Sequence, residues 1–206
     1  MIKTRKRRKI KNQKKIRNQK KIKNQRKDKK KDKKKVTKCI DGIFRYLYGQ
    51  DSTSPIEKGI VDIKSNQTGG LGGDISLLKQ IINPNSTAQH WTSNNTENTS
   101  ITIDFKKILV KVDKYHLKLG FKDGQYVFRS WILNGTTEDG QILTLDEISE
   151  TDKISRSNPE STFEIQNKSK DSFLRSIRLT MRGKNGLNFQ MAIRGIELYG
   201  SVKSLE

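Results

Sequence analysis

The positive charge of this chain lies almost entirely in its first 38 residues. That segment contains 22 Lys or Arg and two Asp, so it carries a net charge of +20 out of a formal +21 for all 206 residues. The remaining residues are therefore close to neutral. A segment with so little apolar surface cannot offset the entropy that it would lose on ordering. We therefore predict two parts: a disordered or isolated-helical polybasic tail at residues 1–38, and a folded domain at residues 39–206.

The tail is also repetitive, because the pattern Lys-Ile-Lys-Asn-Gln-Lys recurs three times between residues 9 and 26 with Lys/Arg exchanges. On a helix, a period of six places Ile10, Ile16 and Ile22 on three different sides, so no apolar stripe forms. Dense Lys and Arg bind polyanions by releasing counterions, which makes nucleic acid or a nuclear-import receptor a candidate partner. An anionic membrane surface and a low-complexity extension without a specific role stay open. No aromatic residue precedes Phe44, so nucleic-acid binding by the tail would be tolerant of sequence.

Several classes of protein are disfavoured by composition. Cys39 is the only cysteine and there are two histidines, so we expect no internal disulfide, no metal site and no cofactor. No apolar run is long enough to span a bilayer, and no hydrophobic region follows the basic start as it would in a secretory signal. We therefore expect an intracellular protein, cytoplasmic or nuclear, without a transmembrane segment.

The neutral part predicts an all-β fold. Its segments alternate apolar and polar residues with a period of two, or are rich in β-branched and aromatic residues, and turn signals separate them. The predicted strands are residues 59–64, 101–105, 115–121, 126–133, 141–145, 163–165, 173–181 and 191–200. Residues 42–49 predict a short helical turn, and residues 83–100 a polar loop. The glycine-rich residues 66–73 lack the Gly-Lys-Ser/Thr ending of a phosphate-binding loop, so we interpret them as a loop only. Many short strands with little helix indicate a β-sandwich or jelly roll, with Trp131 in its core.

Eight short segments in the right order resemble the coagulation factor 5/8 type C, or discoidin, domain family. The resemblance is to the intracellular form of this family that occurs beside BTB domains. The matching segments are Asp41–Phe44, Glu57–Val61, His90–Ser93, Ile101–Phe105, Ser130–Thr136, Asp139–Gly140, Phe173–Leu179 and Ile193–Gly200. The resemblance implies a galactose-binding-like β-sandwich over most of residues 40–202. The disulfide that extracellular members of the family commonly have cannot form here, because the chain has one cysteine. The basic segment of 38 residues is too short to contain a BTB domain.

The same resemblance implies a ligand site on loops at one end of the sandwich. These loops are residues 65–74, 83–100, 121–125 and 182–188. The candidate ligand-binding residues on them are Asn66, Gln67, His90, Trp91, Phe121, Lys122, Asp123, Arg182, Lys184 and Asn185. Aromatic rings, amides and a cation can stack on a sugar and bind its hydroxyl groups, or hold a peptide. For Trp91, a packed position that supports the loop competes with stacking on a ligand.

We find no carboxylate paired with His, Cys or Ser at a catalytic spacing, so we predict that the protein is not an enzyme. Asp146, Glu147 and Glu150 look like a solvated acidic turn. His116 alternates with Tyr115 and Leu117, which places it on the wetter face of its strand.

The predicted function is a binding module that recognises a protein or glycan determinant through its loop end, with the tail as an electrostatic tether or nuclear address. One alternative is a nucleic-acid-associated protein that binds RNA or DNA through the tail. Another is an adaptor fragment of a BTB-type ubiquitin-ligase system. This alternative is suggested only by the BTB domains that often accompany intracellular discoidin domains.

Overall fold

Ten antiparallel strands and two short helices make up the part of the chain that the computed structural model describes, which is residues 35–49, 53–67, 74–87, 90–121, 125–167, 171–185 and 188–205. The strands are β1 Val36–Cys39, β2 Val61–Ser65, β3 Trp91–Asn95, β4 Ser100–Phe105, β5 Ile108–Leu119, β6 Trp131–Thr137, β7 Ile142–Ile148, β8 Glu160–Glu164, β9 Leu174–Met181 and β10 Gln190–Ser204. The helices are α1 Ile43–Tyr48 and α2 Ile75–Gln80. The all-β prediction is confirmed.

The strands form one curled sheet whose main path is β1-β10-β5-β9-β4-β2. β3 also pairs with β10, β8 with β5, and β6 with both β7 and β9. The longest ladder joins β5 to β10, whereas β5 and β9 share the single pair Val110 and Leu174. Because β5 and β9 are joined by one residue pair only, the sheet folds over between these two strands. Its two halves enclose the core.

The core follows the alternation of the strands. In β5, Tyr115, Leu117 and Leu119 are fully buried while the residues between them reach the surface. Trp131 is also fully buried, as predicted, and packs edge-on against Phe163 with ring centroids 4.9 Å apart. His116 lies on the outer face of β5 with 22% of its side chain exposed, in line with its predicted position.

Two strands lie where the sequence predicted none. β1 includes residues 36–38, which the sequence assigned to the tail, and it pairs with the end of β10. The rest of the predicted tail, residues 1–34, lies outside the described residues. β3 lies inside the predicted polar loop 83–100, and its buried Ser93 is satisfied because Met191 N donates to Ser93 Oγ at 2.9 Å. A polar residue can therefore occupy an inward position of this strand.

The predicted solvated acidic turn is wrong for Asp146 and Glu147, which belong to strand β7, whereas Glu150 is exposed in the bend after that strand. Asp146 Oδ2 accepts a hydrogen bond of 2.7 Å from the buried Tyr115 hydroxyl. Trp131 Nε1 donates in turn to the same hydroxyl at 2.9 Å. The carboxylate of Asp146 therefore ends a polar chain that satisfies two buried aromatic side chains.

No helix in the described ranges has both the length and the apolar composition needed to cross a membrane.

Candidate ligand-binding site

The register of the strands brings most of the predicted loops to one end of the sandwich. Ser65 of β2 pairs with Ile101, Trp131 of β6 pairs with Met181, and Leu119 of β5 pairs with Ile193. The described residues that follow β2, β5 and β9, and those that precede β4 and β6, therefore leave the sheet at the same end, which we call the loop end. Residues 83–90 are different, because they reach β3 at its opposite terminus.

Three aromatic rings pack in a row beside the loop end, with Phe121 between His90 and Tyr126 in the series of contacts. The rings of His90 and Phe121 have centroids 3.8 Å apart with an interplanar angle of 24°, and the rings of Phe121 and Tyr126 have centroids 4.7 Å apart. All three side chains are partly exposed. We call His90, Phe121 and Tyr126 the aromatic cluster. It offers ring faces for stacking together with imidazole and phenol groups that can form hydrogen bonds.

The backbone of a tight turn positions two members of the aromatic cluster. Phe121 N donates to Gln125 O at 2.8 Å, and Tyr126 adopts a left-handed conformation with φ of 60°. Gly120 has φ of 64°, and a Cβ there would lie 2.4 Å from Gln125 O. This turn therefore requires glycine at position 120. The sequence predicts Tyr126 at the start of a strand. Its positive φ instead turns the backbone away from an extended conformation, and strand β6 begins at Trp131.

Trp91 is not available for stacking on a ligand in this structure, which corrects its place among the candidate contacts. Its side chain is 1% exposed, and it pairs with Ile193 in the sheet. Burial of the whole indole supports the position of β3 and removes the ring face from solvent.

The amides of Asn66 and Asn185 hold loops in place. Asn66 Oδ1 accepts from Ser100 N at 2.8 Å, and its Nδ2 donates to Asn98 O at 3.2 Å. Asn185 is 8% exposed, and its Nδ2 donates to Gln190 O at 2.6 Å. These groups are therefore engaged within the protein, and their role is to order the loops. Gln67 follows Asn66 and is partly exposed.

The segment after β9 carries two exposed cations. Arg182 and Lys184 both lie at the surface, and Lys184 Nζ is 5.5 Å from the ring centroid of Phe189. Phe189 N donates to Asn95 Oδ1 at 2.8 Å, which ties this segment to the end of β3. No local pattern in the sequence marks Phe189 or Asn95, because their contact joins two segments that are far apart in the chain.

The other predicted site residues, Lys122 and Asp123, lie outside the described residues, as do residues 68–73 of the glycine-rich loop. Within the described ranges, no group of three or more His, Cys, Asp or Glu could hold a metal ion.

No protein-family model and no curated protein matches this sequence. Solved structures do match the fold. The C-terminal domain of a chitobiase from Bacteroides fragilis is 15% identical, with a TM-score of 0.53 over 70% of this chain and 96% of that one. The module CpGH89CBM32-5 from Clostridium perfringens, in complex with GalNAc-β-1,3-galactose, is 14% identical, with a TM-score of 0.51 over 69% and 96%. The family 32 module of NanJ from C. perfringens, in complex with galactose, is 12% identical, with a TM-score of 0.50 over 69% and 95%.

The chain has a galactose-binding-like β-sandwich fold. At this level of identity the likeness establishes the fold alone.

Proposed function

We propose that the β-sandwich is a non-catalytic module that recognises a glycan through its loop end. The observation that carries the proposal is the aromatic cluster, in which His90, Phe121 and Tyr126 present partly exposed rings next to that end. Two proteins of the same fold are described in complex with galactose or with GalNAc-β-1,3-galactose, which favours a glycan over a peptide as the ligand.

The chemistry of the aromatic cluster suits a sugar ring. The apolar face of a pyranose packs against an aromatic ring, while imidazole and phenol groups exchange hydrogen bonds with its hydroxyls. Arg182 and Lys184 supply donors at the same end of the sheet. Because the three rings already pack on one another, little side-chain entropy is lost when a ligand binds.

The test is an array of galactose- and GalNAc-terminated glycans, probed with the full chain at high salt so that the tail contributes little. Phe121→Ala should weaken binding roughly ten- to thirty-fold, as expected for an aromatic side chain central to a contact. Tyr46→Ala is the matched control, because Tyr46 is a 49% exposed aromatic residue on α1. The proposal fails if the wild type binds no glycan, or if both variants bind equally well.

The net charge of +20 in residues 1–38 favours a second, separable function for the tail. We propose that the tail tethers the module to a polyanion such as RNA, or addresses it to the nucleus, which agrees with an intracellular location. A deletion that tests this should stop at residue 34, because Val36–Cys39 is strand β1. Polyanion binding should fall steeply between about 50 and 200 mM salt and disappear with the deletion. Binding that survives the deletion would contradict a role for the tail.

A further inference from the structure

A cleft of about 190 Å³ lies on the outer surface of β5 and β10 and shares no residue with the aromatic cluster. His116 and Lys118 of β5 and Arg194 of β10 line it, Arg45 of α1 forms one wall, and the segment after α2 forms another. A water molecule takes up about 30 Å³ of liquid, so the cleft holds roughly six waters or one small polar group. One lysine, one histidine and two arginines therefore converge on a space the size of an ion or a single sugar residue.

Glu197 also lines the cleft, and its carboxylate is already engaged by the protein. Glu197 Oε1 accepts from Phe44 N at 2.9 Å, and Glu197 Oε2 accepts from Arg45 N at 3.2 Å. These hydrogen bonds cap the N-terminus of α1. They take the place of a capping side chain, which Gly42 lacks. A Cβ at Gly42, where φ is 118°, would lie 2.4 Å from Glu197 Cδ. Glu197 therefore faces the backbone of α1.

Arg194 is the group that lacks a counterpart. Its Nε is buried and has no hydrogen-bond acceptor among the described residues. A buried N–H without an acceptor is rare in folded proteins and indicates an unfilled interaction. No carboxylate in the described ranges forms an ion pair with either Arg194 or Arg45.

The other charges around the cleft are accounted for or exposed. Lys118 Nζ and His116 Nε2 both lie 3.6 Å from Glu160 Oε2, in contacts that solvent screens. His116 Nδ1 lies 3.0 Å from Thr162 Oγ1, and burial lowers the pKa of its imidazole, so the ring is neutral at neutral pH. Asp41 lies at the exposed rim of the cleft. The two guanidinium groups thus remain the donors that an added acceptor would satisfy.

We propose that this cleft binds an oxyanion, the carboxylate, sulfate or phosphate group of a small ligand, through Arg194 and Arg45. A guanidinium presents a planar fork of donors that matches the spacing of oxyanion oxygens, and such charge-assisted bonds are the stronger class. Bound oxygen would pair with the guanidinium of Arg194, for which the described residues supply no carboxylate. The site is independent of glycan recognition at the loop end.

The test measures the thermal unfolding midpoint of the full chain in sulfate, in phosphate and in glucuronate, with sodium chloride added to keep the ionic strength constant. A bound anion should raise the midpoint in a saturable way, because it stabilises only the folded state. Arg194→Met should weaken the apparent affinity about ten-fold or more and leave the anion-free midpoint unchanged or higher. Arg175→Met is the matched control, since it removes an exposed arginine, keeps the tail, and has the same net charge as Arg194→Met.

Arg45→Met provides a second variant at an exposed side chain, and the backbone hydrogen bond from Arg45 N to Glu197 is kept in it. A rise of the midpoint in sulfate and phosphate alone supports a tetrahedral anion as the ligand. A larger rise in glucuronate supports an acidic sugar as the ligand. The proposal is overturned if Arg194→Met and Arg45→Met respond to every anion as Arg175→Met does. That result would assign any effect to another part of the chain, and it would leave the proposed glycan binding at the loop end untouched.

Discussion

Removing one buried hydroxyl, by Tyr115→Phe, should destabilise the sandwich without changing its packing volume. Tyr115 Oη accepts from Trp131 Nε1 at 2.9 Å and donates to Asp146 Oδ2 at 2.7 Å. Burial and the neighbouring Asp146 carboxylate raise the pKa of Tyr115, so the hydroxyl keeps its proton and donates at neutral pH. Phenylalanine fills the same space and lacks both interactions.

The magnitude follows from what each neighbour loses. Trp131 is fully buried, so its indole N–H would be left without an acceptor at a cost of about 1–3 kcal/mol. Asp146 is only partly buried, so water would replace part of its lost hydrogen bond. Together these changes should lower the free energy of unfolding by roughly 2–4 kcal/mol.

Equilibrium unfolding in urea, followed by tryptophan fluorescence, measures this change. The midpoint should fall while the dependence of the free energy on urea stays the same. Tyr46→Phe is the control, since Tyr46 is 49% exposed, and it should change stability by less than about 0.5 kcal/mol. Equal stability of the two variants would refute the inference that Tyr115 satisfies the Trp131 indole.

Three further changes test other parts of the domain. Gly42→Ala should lower stability by about 1–3 kcal/mol more than Gly140→Ala in urea unfolding, because only the Cβ at position 42 would overlap Glu197. Burial raises the pKa of Cys39 to about 11, so iodoacetamide should alkylate the native thiol far more slowly than the unfolded one. Burial lowers the pKa of His116, so the unfolded state binds its proton more readily, and stability should fall as the pH drops below about 6.5. Urea midpoints at about pH 5 and pH 7 should show a smaller difference in His116→Gln than in the wild type.

The strands that the sequence predicted well are those whose period of two matches burial. Ile101, Ile103 and Phe105 of β4 are all buried, and residues 101–105 were predicted as a strand. β3 was missed because Ser93 and its neighbours lack apolar alternation. Ser93 occupies an inward position only because Met191, 98 residues away, donates to its hydroxyl. That acceptor role depends on a long-range contact that no local pattern reveals.

The candidate site was predicted at the level of loops and not at the level of contacts. The sequence selected His90 and Phe121, but nothing in their spacing shows that the two rings stack. Tyr126 was assigned to a strand because aromatic residues favour strands, and its φ of 60° appears only once the turn is formed. The cleft was not predicted at all, since the contact between Glu197 and α1 joins residues 153 positions apart.

The role of the asparagines bears on what the loop end can recognise. Asn66 and Asn185 were predicted as ligand contacts, yet their amides bind backbone groups within the protein. Asn95 is a third such asparagine, because its Oδ1 accepts a hydrogen bond from Phe189 N. Each asparagine ties a loop to the terminus of a strand, so these parts of the loop end are ordered before any ligand arrives. Preorganised loops recognise rigid ligands without a large entropic cost, and a sugar ring is more rigid than a flexible peptide. The ordered loops therefore add to the support that the aromatic cluster gives to the proposed glycan ligand.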